Sequence, residues 1–361
     1  MFDNIAALDI GTSTIKLVMV KTGLHDFKVT SFAYEDIDFS IASPEEAVRD
    51  ALGRLLAENS LKGYSVITNL PMEKAIIRNI TFPFSDVEKI AEAIPFEAGE
   101  NIPFRLEDLS MDFQSLRSPK PEEGRILLTA THRETIHAFM DVIDDFSVIP
   151  ERMGLESNAL FECYRYFNRI QSESVIQLDI GHNKTIINFI AGNSLVYTRS
   201  IPIGTSLIYQ ALSDILDVPF HEAKRIFEAL HLDLTSIENN TQRDYYRALG
   251  VPRPRLKKIF DETSRIVREL IEQIYLTQKS FYLSYDRIEF NRLLLSGGGS
   301  NIIGIGQVLG STLELPIVAL PFLEEYTEIR IHTQFPIAFG SVLCALNRKQ
   351  SYINFLKGEF L

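Results

Sequence analysis

The sequence predicts an α/β fold of two similar halves, the first carrying a small α+β insert, and three observations lead there. An Asp-Ile-Gly turn between two apolar, β-branched runs occurs at Asp9-Ile10-Gly11 and again at Asp179-Ile180-Gly181, 170 positions on. A buried strand runs late in the chain into Ser296-Gly297-Gly298-Gly299-Ser300. Between the two acidic turns, residues 80–148 read as strand, helix, strand, strand, helix. A repeat at this spacing points to duplicated α/β halves and not to a short-period solenoid.

Each element follows from local chemistry. Residues 5–8 and 15–20 are apolar runs around Asp9-Ile10-Gly11-Thr12-Ser13, whose residue types make a hairpin turn. Ser43-Pro44-Glu45-Glu46 is a helix start: an N-cap, a proline in the first turn, and acids at the positive helix end, followed by apolar residues spaced near 3.6. In the insert, NITFPF reads as a strand, SDVEKIAEAIPFEAG as a helix, LSMDFQSL and RILLTAT as strands, and RETIHAFMDVIDDF as a helix. Residues 175–190 repeat the first hairpin. The longest amphipathic run is 263–283, where Ile266, Val267, Leu270, Ile271, Ile274 and Phe281 share one face and predict a core-facing helix. Four cations in Arg253-Pro254-Arg255-Leu256-Lys257-Lys258 read as a solvated loop leading into it. The glycine triplet is expected to open an apolar helix with Asn301 near its start.

Composition narrows the function. The 361 residues contain 36 Lys and Arg against 48 Asp and Glu, a formal charge of −12, so a non-specific nucleic-acid binder is excluded. Hydrophobic residues at 45% and charged residues at 23% are ordinary for a globular chain. Cys163 and Cys344 stand 181 positions apart with no CxxC spacing, which argues against a zinc ribbon or a disulfide framework and for a reducing cytoplasm. The longest apolar stretches, 315–323 and 335–346, are broken by Pro or Gly and fall short of the ~20 residues a spanning helix needs. The first residues lack the basic and apolar regions of a signal peptide. His132, His137, His221, His231 and His332 show no ligand-like spacing, so no metal centre beyond Mg²⁺ is expected.

An acidic turn between two strands can present backbone N–H groups and a hydroxyl to a phosphate while its aspartate holds a hydrated Mg²⁺. LDIGTSTIKLV offers Asp9 for the metal shell, Gly11 for close approach, Thr12 and Ser13 as donors, and Lys16 as a cation. One such turn is ordinary hairpin chemistry; two of them, followed by a strand-GGG-helix, are harder to attribute to turns alone.

At this point the sequence resembles the actin-like ATPase superfamily, a duplicated ribonuclease H-like fold in which two such hairpins clamp nucleotide phosphates and the glycine turn lies on adenosine. Within it the narrower resemblance is to the type IV pilus assembly protein PilM and to the cytoplasmic domain of the type II secretion protein GspL, with the division protein FtsA more distant. DIGTSTIKLV, PMEKAIIRNITFPFSDVEKIAEAIPFEAGENIPF at 71–104, GLESNALFECY at 154–164 and IPIGTSLIYQAL at 201–212 carry it, over essentially residues 1–350.

The resemblance implies ATP and Mg²⁺ as ligands. Phosphate contacts fall on Gly11, Thr12, Ser13 and Lys16, then on Gly181, Lys184, Thr185, Gly204 and Thr205 of the second half, with Lys224 as a further phosphate partner. Asp9 and Asp179 fall in the Mg²⁺ shell, and Gly297, Gly298 and Gly299 lie against adenosine. Glu156 stands where relatives hold an acid that orients the attacking water; its other reading is a solvent-facing carboxylate at a helix N-terminus. Three departures matter. His182-Asn183-Lys184 replaces small residues, the paired glycine has become Gly204-Thr205, and the helix that reaches the ribose reads Ala223-Lys224-Arg225-Ile226-Phe227, without its carboxylate. Losing that hydrogen bond costs roughly 0.5–1.5 kcal/mol, so nucleotide binding with little turnover is expected.

The ending INFLKGEF resembles the short cytoplasmic motif before the GspL membrane helix and at the N-terminus of the pilus protein PilN. It implies partner binding by Ile353, Asn354, Phe355 and Leu356, and a membrane span after Leu361 in a longer chain. The expected organisation is a first actin-like subdomain (1–79, 149–170 and 334–350), the insert (80–148), a second actin-like subdomain (171–205 and 290–333), a helical subdomain (206–289) and the tail (351–361). The resemblance as a whole implies a scaffold at the cytoplasmic face of a bacterial inner membrane, touching the membrane through a partner or an adjoining segment. Its partners would be PilN- or GspM-like platform proteins and a PilB- or GspE-like motor ATPase, with homodimerisation. An active ATPase or an FtsA-like filament former is the alternative.

Overall fold

The structure, a computed structural model, describes residues 4–23, 26–41, 43–118, 120–168, 173–241, 245–284, 288–320, 332–347 and 352–360. Residues 321–331 of the expected second subdomain and the basic Arg348 and Lys349 before the tail lie outside them.

The first half contains β1 (Asn4–Ile10), β2 (Thr14–Thr22), β3 (Phe27–Asp36), α1 (Pro44–Glu58) and β4 (Tyr64–Leu70). The insert follows as β5 (Ile76–Phe82), α2 (Val87–Asn101), β6 (Leu109–Leu116), β7 (Gly124–His132) and α3 (Arg133–Asp144). The chain returns through β8 (Pro150–Leu155) and α4 (Glu156–Phe167). The second half opens with β9 (Ser174–Ile180), β10 (Thr185–Ala191) and β11 (Ser194–Ile201). Helices α5 (Thr205–Leu216), α6 (Phe220–Leu230), α7 (Ile237–Thr241), α8 (Tyr245–Ala248) and α9 (Arg253–Ser284) come next, then β12 (Arg292–Ser296), α10 (Ile305–Leu313), β13 (Ile317–Ala319) and α11 (Pro336–Leu346).

The duplication is topological. One sheet has the order β3-β2-β1-β4-β8 and the other β11-β10-β9-β12-β13. In both, three antiparallel strands are followed by two parallel ones. The acidic turns occupy equivalent places, with Ile10 paired to Ile15 and Ile180 to Thr185. Helices α4 and α11 lie between the sheets. Ile5 and Val18 of the first sheet, Val175 and Leu294 of the second, Phe161 of α4 and Phe339 of α11 share one apolar cluster. The helices cross so closely that a Cβ on Gly340 would stand 1.9 Å from the Ala159 carbonyl oxygen.

Helix α1 starts as the sequence predicts, the Ser43 hydroxyl accepting from the Glu46 amide at 3.3 Å. The insert's sheet, β5-β7-β6, begins at Ile76, four residues before the expected boundary at 80. Arg78 and Asn79 break the apolar run, but Ile76 and Ile80 alternate onto the α2 cluster while Ile77 faces the other side. Strand β7 is buried on both faces, Ile126 and Leu128 against the α2 cluster and Leu127 toward the first half.

Two helix starts differ from expectation. The cationic cluster at 253–258 is the opening of α9 and not a loop, because Pro254 sits in a first turn that tolerates proline. Leu256 and Ile259 are buried there, so the amphipathic face begins at Leu256, seven residues before 263. After Gly297, a 3₁₀ turn spans Gly298–Asn301, and α10 starts only at Ile305 behind a left-handed Gly304 (φ 82°). Consecutive glycines are poor helix formers, which delays the helix. No helix among the described residues is long and apolar enough to cross a membrane.

Candidate functional site

The β1–β2 and β9–β10 turns face each other across a cleft of about 680 Å³, closed on one side by α6 and on another by the turn after β12. Each turn is closed by its own glycine: the Gly11 amide donates to the Thr14 carbonyl at 3.2 Å and the Gly181 amide to the Lys184 carbonyl at 2.8 Å. A Cβ would meet those same oxygens at 2.7 and 3.0 Å. Gly297 has φ 86°, and a Cβ there would stand 2.4 Å from the Ile180 carbonyl oxygen. The fold therefore needs these glycines before any ligand does.

Of the residues implied by sequence, Asp9, Gly11, Thr12, Ser13 and Lys16 line the cleft from the first half. Glu156, Asp179, Gly181, Lys184 and Thr205 line it from α4 and the second half, and Lys224, Gly297 and Gly298 close it. Three do not reach it. Thr185 is fully buried and donates its hydroxyl to the Ile203 carbonyl at 2.7 Å. Gly204 starts α5 against the backbone of His182, where a Cβ would meet the carbonyl oxygen at 2.2 Å. Gly299 packs under Ile180, whose Cγ2 would lie 2.3 Å from a Cβ. These three shape the cleft's walls from behind.

Every cleft lysine is already engaged. Lys16 pairs with Asp9 at 3.2 Å. Lys224 on α6 reaches Ser13 Oγ at 3.3 Å and Asp36 at 3.4 Å. Lys184 of the second half joins Glu73 and, at 2.6 Å, Glu156 of the first half. Glu156 is 5% exposed and also accepts from the Met72 amide at 2.7 Å, so it is a buried carboxyl and not a solvent-facing one. Burial pushes its pKa up to about 7, against the pull of Lys184. Burial opposes the charge on Lys184 too, but Glu156 and Glu73 together hold it above the ordinary lysine value. Asp179 accepts from Ser296 Oγ at 2.7 Å and is pushed up to about 6, mainly by burial and in part by the charge of Asp9.

His182 does not crowd a ligand in the way its bulk suggests. Its ring stacks on Phe39 of the first half with centroids 5.2 Å apart and meets Tyr209 of α5 and Phe220 of α6. Burial lowers its pKa to about 4, so it stays neutral. The stack and the ion pairs of Lys184 and Lys224 tie the second half to the first across the cleft.

Asp9 and Asp179 supply hard oxygen donors from opposite turns, and the repulsion between them is what a divalent cation with its water shell would relieve; this donor set fits Mg²⁺. No cluster of three metal-ligating side chains occurs among the described residues. Glu228 was not legible as a site residue. It lies one turn beyond Lys224 on the same face of α6 and lines the cleft. Its spacing of four from Lys224 was the available signal. Glu73 and Asp36 were likewise missed, since only tertiary pairing with Lys184 and Lys224 brings them in.

A second feature lies on the far side of β8. Residues 352–360 run along a groove between that edge strand and the insert. Ile353, Phe355 and Leu356 are buried to 0–1% exposure beside Met153, Leu155 and Ile136. Phe355 donates its amide to the Met153 carbonyl at 2.9 Å, and Ser110 Oγ donates to the Phe355 carbonyl at 3.0 Å. Asn354 Oδ1 accepts from the Met153 amide at 3.1 Å, while the Asn354 backbone N–H donates to Asp112 at 2.8 Å. Lys357 pairs with Asp112 at 2.5 Å and Glu359 with Arg133 at 2.8 Å. The four residues expected to bind a partner are thus seated in this chain's own groove.

Comparison with known proteins follows the same lines. A family model described as type IV pilus assembly protein PilM matches residues 7–234. No curated protein sequence is matched. Among solved structures, the PilM-PilN type IV pilus biogenesis complex is similar at TM-score 0.77 and 19% identity, covering 95% of this chain and 98% of that one. The ethanolamine utilization protein EutJ from Carboxydothermus hydrogenoformans is similar at TM-score 0.51 and 15% identity, covering 94% and 89%. MreB 5 of Spiroplasma citri bound to AMPPNP is similar at TM-score 0.51 and 12% identity, covering 96% and 97%. These likenesses show an actin-like fold.

Proposed function

The chain belongs to the type IV pilus assembly protein PilM family, and from that premise we propose that it is a scaffold of a pilus or secretion platform at the cytoplasmic face of the inner membrane. Its role is mechanical coupling: it joins PilN- or GspM-like membrane proteins to a PilB- or GspE-like motor ATPase. The observation that carries the reading is the groove between β8 and the insert, a built receptor for an extended Ile-Asn-Phe-Leu segment. A similar fold has been solved as a PilM-PilN complex. The cleft supports a retained ATP site. The backbone of the two turns and the Thr12 and Ser13 hydroxyls would face the phosphates, Asp9 and Asp179 would hold a hydrated Mg²⁺, and Glu228 would offer a ribose hydroxyl an acceptor. Mg²⁺ there would neutralise phosphate charge. Glu156 is fixed by Lys184 and the Met72 amide, an arrangement suited to holding the halves together and poorly suited to moving a water.

The test is a pull-down of the full chain against the motor's N-terminal domain and the platform's membrane proteins from one system. Capture of both is expected at low salt. Failure to capture either overturns the scaffold reading.

A further inference from the structure

We propose that this chain is its own competitor at the β8 groove: residues 352–360 occupy in cis a docking site for an extended apolar-Asn-apolar-apolar segment of another protein, which gains the site only by displacing them. The inference rests on reading the groove as a partner site.

The groove is complete without the tail. Strand β8 is laddered to β4 with one irregularity at Glu151, and β6 to β7 throughout, so removing residues 352–360 breaks no sheet. Residues 352–357 belong to no helix or strand and share one backbone–backbone bond with β8, from Phe355 to Met153. The remaining hold on residues 352–360 is that of a peptide ligand: three apolar side chains in pockets, one asparagine that reads the edge of β8, and polar contacts from Ser110, Asp112, Arg133 and Arg152. Asn354 Oδ1 takes the Met153 amide, and its side-chain amide and oxygen also close on Leu356 at 3.2 Å, which shapes the segment for its pockets. The fit is close, with about 10 Å³ left unfilled where Tyr352 and Ile353 meet Arg152, Gly154 and Ser341. An empty groove would expose an edge strand beside Met153, Leu155 and Ile136, a surface that calls for an occupant.

The leash explains why the resident is this chain's own tail. Helix α11 ends at Leu346, and the Asn347 side chain already touches the Tyr352 hydroxyl at 3.1 Å. From residue 347 to residue 352 the backbone spans at most ~18 Å, too short to serve a distant groove on a second copy. A tether of this length gives an effective concentration on the order of millimolar. A free segment that binds an empty groove at ~10 μM is therefore held off about 100-fold, so the competing protein must hold the chain at another surface as well.

The probe is a fluorescent peptide with the sequence of residues 351–361, titrated by anisotropy onto the full-length chain and onto the full-length Phe355→Ala/Leu356→Ala variant. The variant is expected to bind it about 100-fold more tightly than the wild type, and the peptide with alanine at the Asn354 position is expected to lose binding to the variant. Equal affinity of wild type and variant, or no binding to a variant that still melts cooperatively, overturns the proposal. A second measurement needs no variant: millimolar peptide added to the wild type should speed hydrogen exchange at the resident Phe355 amide, and an unchanged rate counts against displacement. A dimer of the wild type that dissociates on adding peptide would show exchange between copies and also overturn occupancy in cis. The pull-down is scored separately, so a competing tail on a chain that captures no motor or membrane protein is recognisable as failure of the scaffold reading alone.

Discussion

Lys184→Met is expected to destabilise the folded chain by about 3–5 kcal/mol at pH 8, the cost of leaving a buried carboxylate without its partner. Methionine keeps the stem packed and removes the charge that Glu156 and Glu73 share. The loss should depend on pH. With a folded pKa near 7 against an ordinary 4.5, Glu156 binds its proton more tightly in the folded state. Its contribution to stability is therefore full below about pH 4.5 and is lost as pH rises through about 7. Asp179, pushed to about 6, acts in the same direction over a lower window. Near pH 5 Glu156 carries its proton in the variant, and the loss should shrink to about 1–2 kcal/mol. Adding Glu156→Gln should recover most of the loss at pH 8, since glutamine still accepts from the Met72 amide. Urea midpoints at pH 5 and 8 check this. A loss that ignores pH and is not rescued would show that the triad is incidental.

Gly340→Ala is expected to cost about 3 kcal/mol or more, at the upper end of overpacking effects, because the intruding methyl meets backbone and not a side-chain tip. The Cβ would stand 1.9 Å from the Ala159 oxygen, and no rotamer change relieves it. The two helices carry the core that both sheets share, so their separation loosens the whole molecule. Gly99→Ala on α2 is the control: a Cβ there meets nothing within 4 Å, and it should stabilise by about 0.5–1 kcal/mol. Thermal melts of both variants decide the matter; equal effects would place the α4–α11 contact outside the account.

What could be read from sequence has a local cause. Asp9-Ile10-Gly11 and Asp179-Ile180-Gly181 are legible because each glycine closes its own turn three residues on, and the repeat then reports a duplicated sheet. Ser43 is legible because a cap acts within one turn. Residues whose meaning comes from long range were not. Glu73 and Asp36 acquire roles only when a lysine from another element arrives, and Thr185, Gly204 and Gly299 turn into the walls because packing claims them first. The tail stands between these cases. Its Ile-Asn-Phe-Leu chemistry was visible, but that the receiving groove belongs to the same chain depends on where α11 ends relative to β8.

A platform scaffold that keeps a nucleotide cleft without using it for turnover should bind Mg-ATP and release no phosphate. Isothermal titration of the full chain with Mg-ATP, followed by a phosphate-release assay on the same sample, tests it most directly. Binding is expected in the range of ~1–50 μM, since phosphates must displace carboxylates from Lys16, Lys184 and Lys224, with release no faster than the buffer background. Sustained release at about 1 s⁻¹ or faster, in the range of ordinary enzymes, would contradict it.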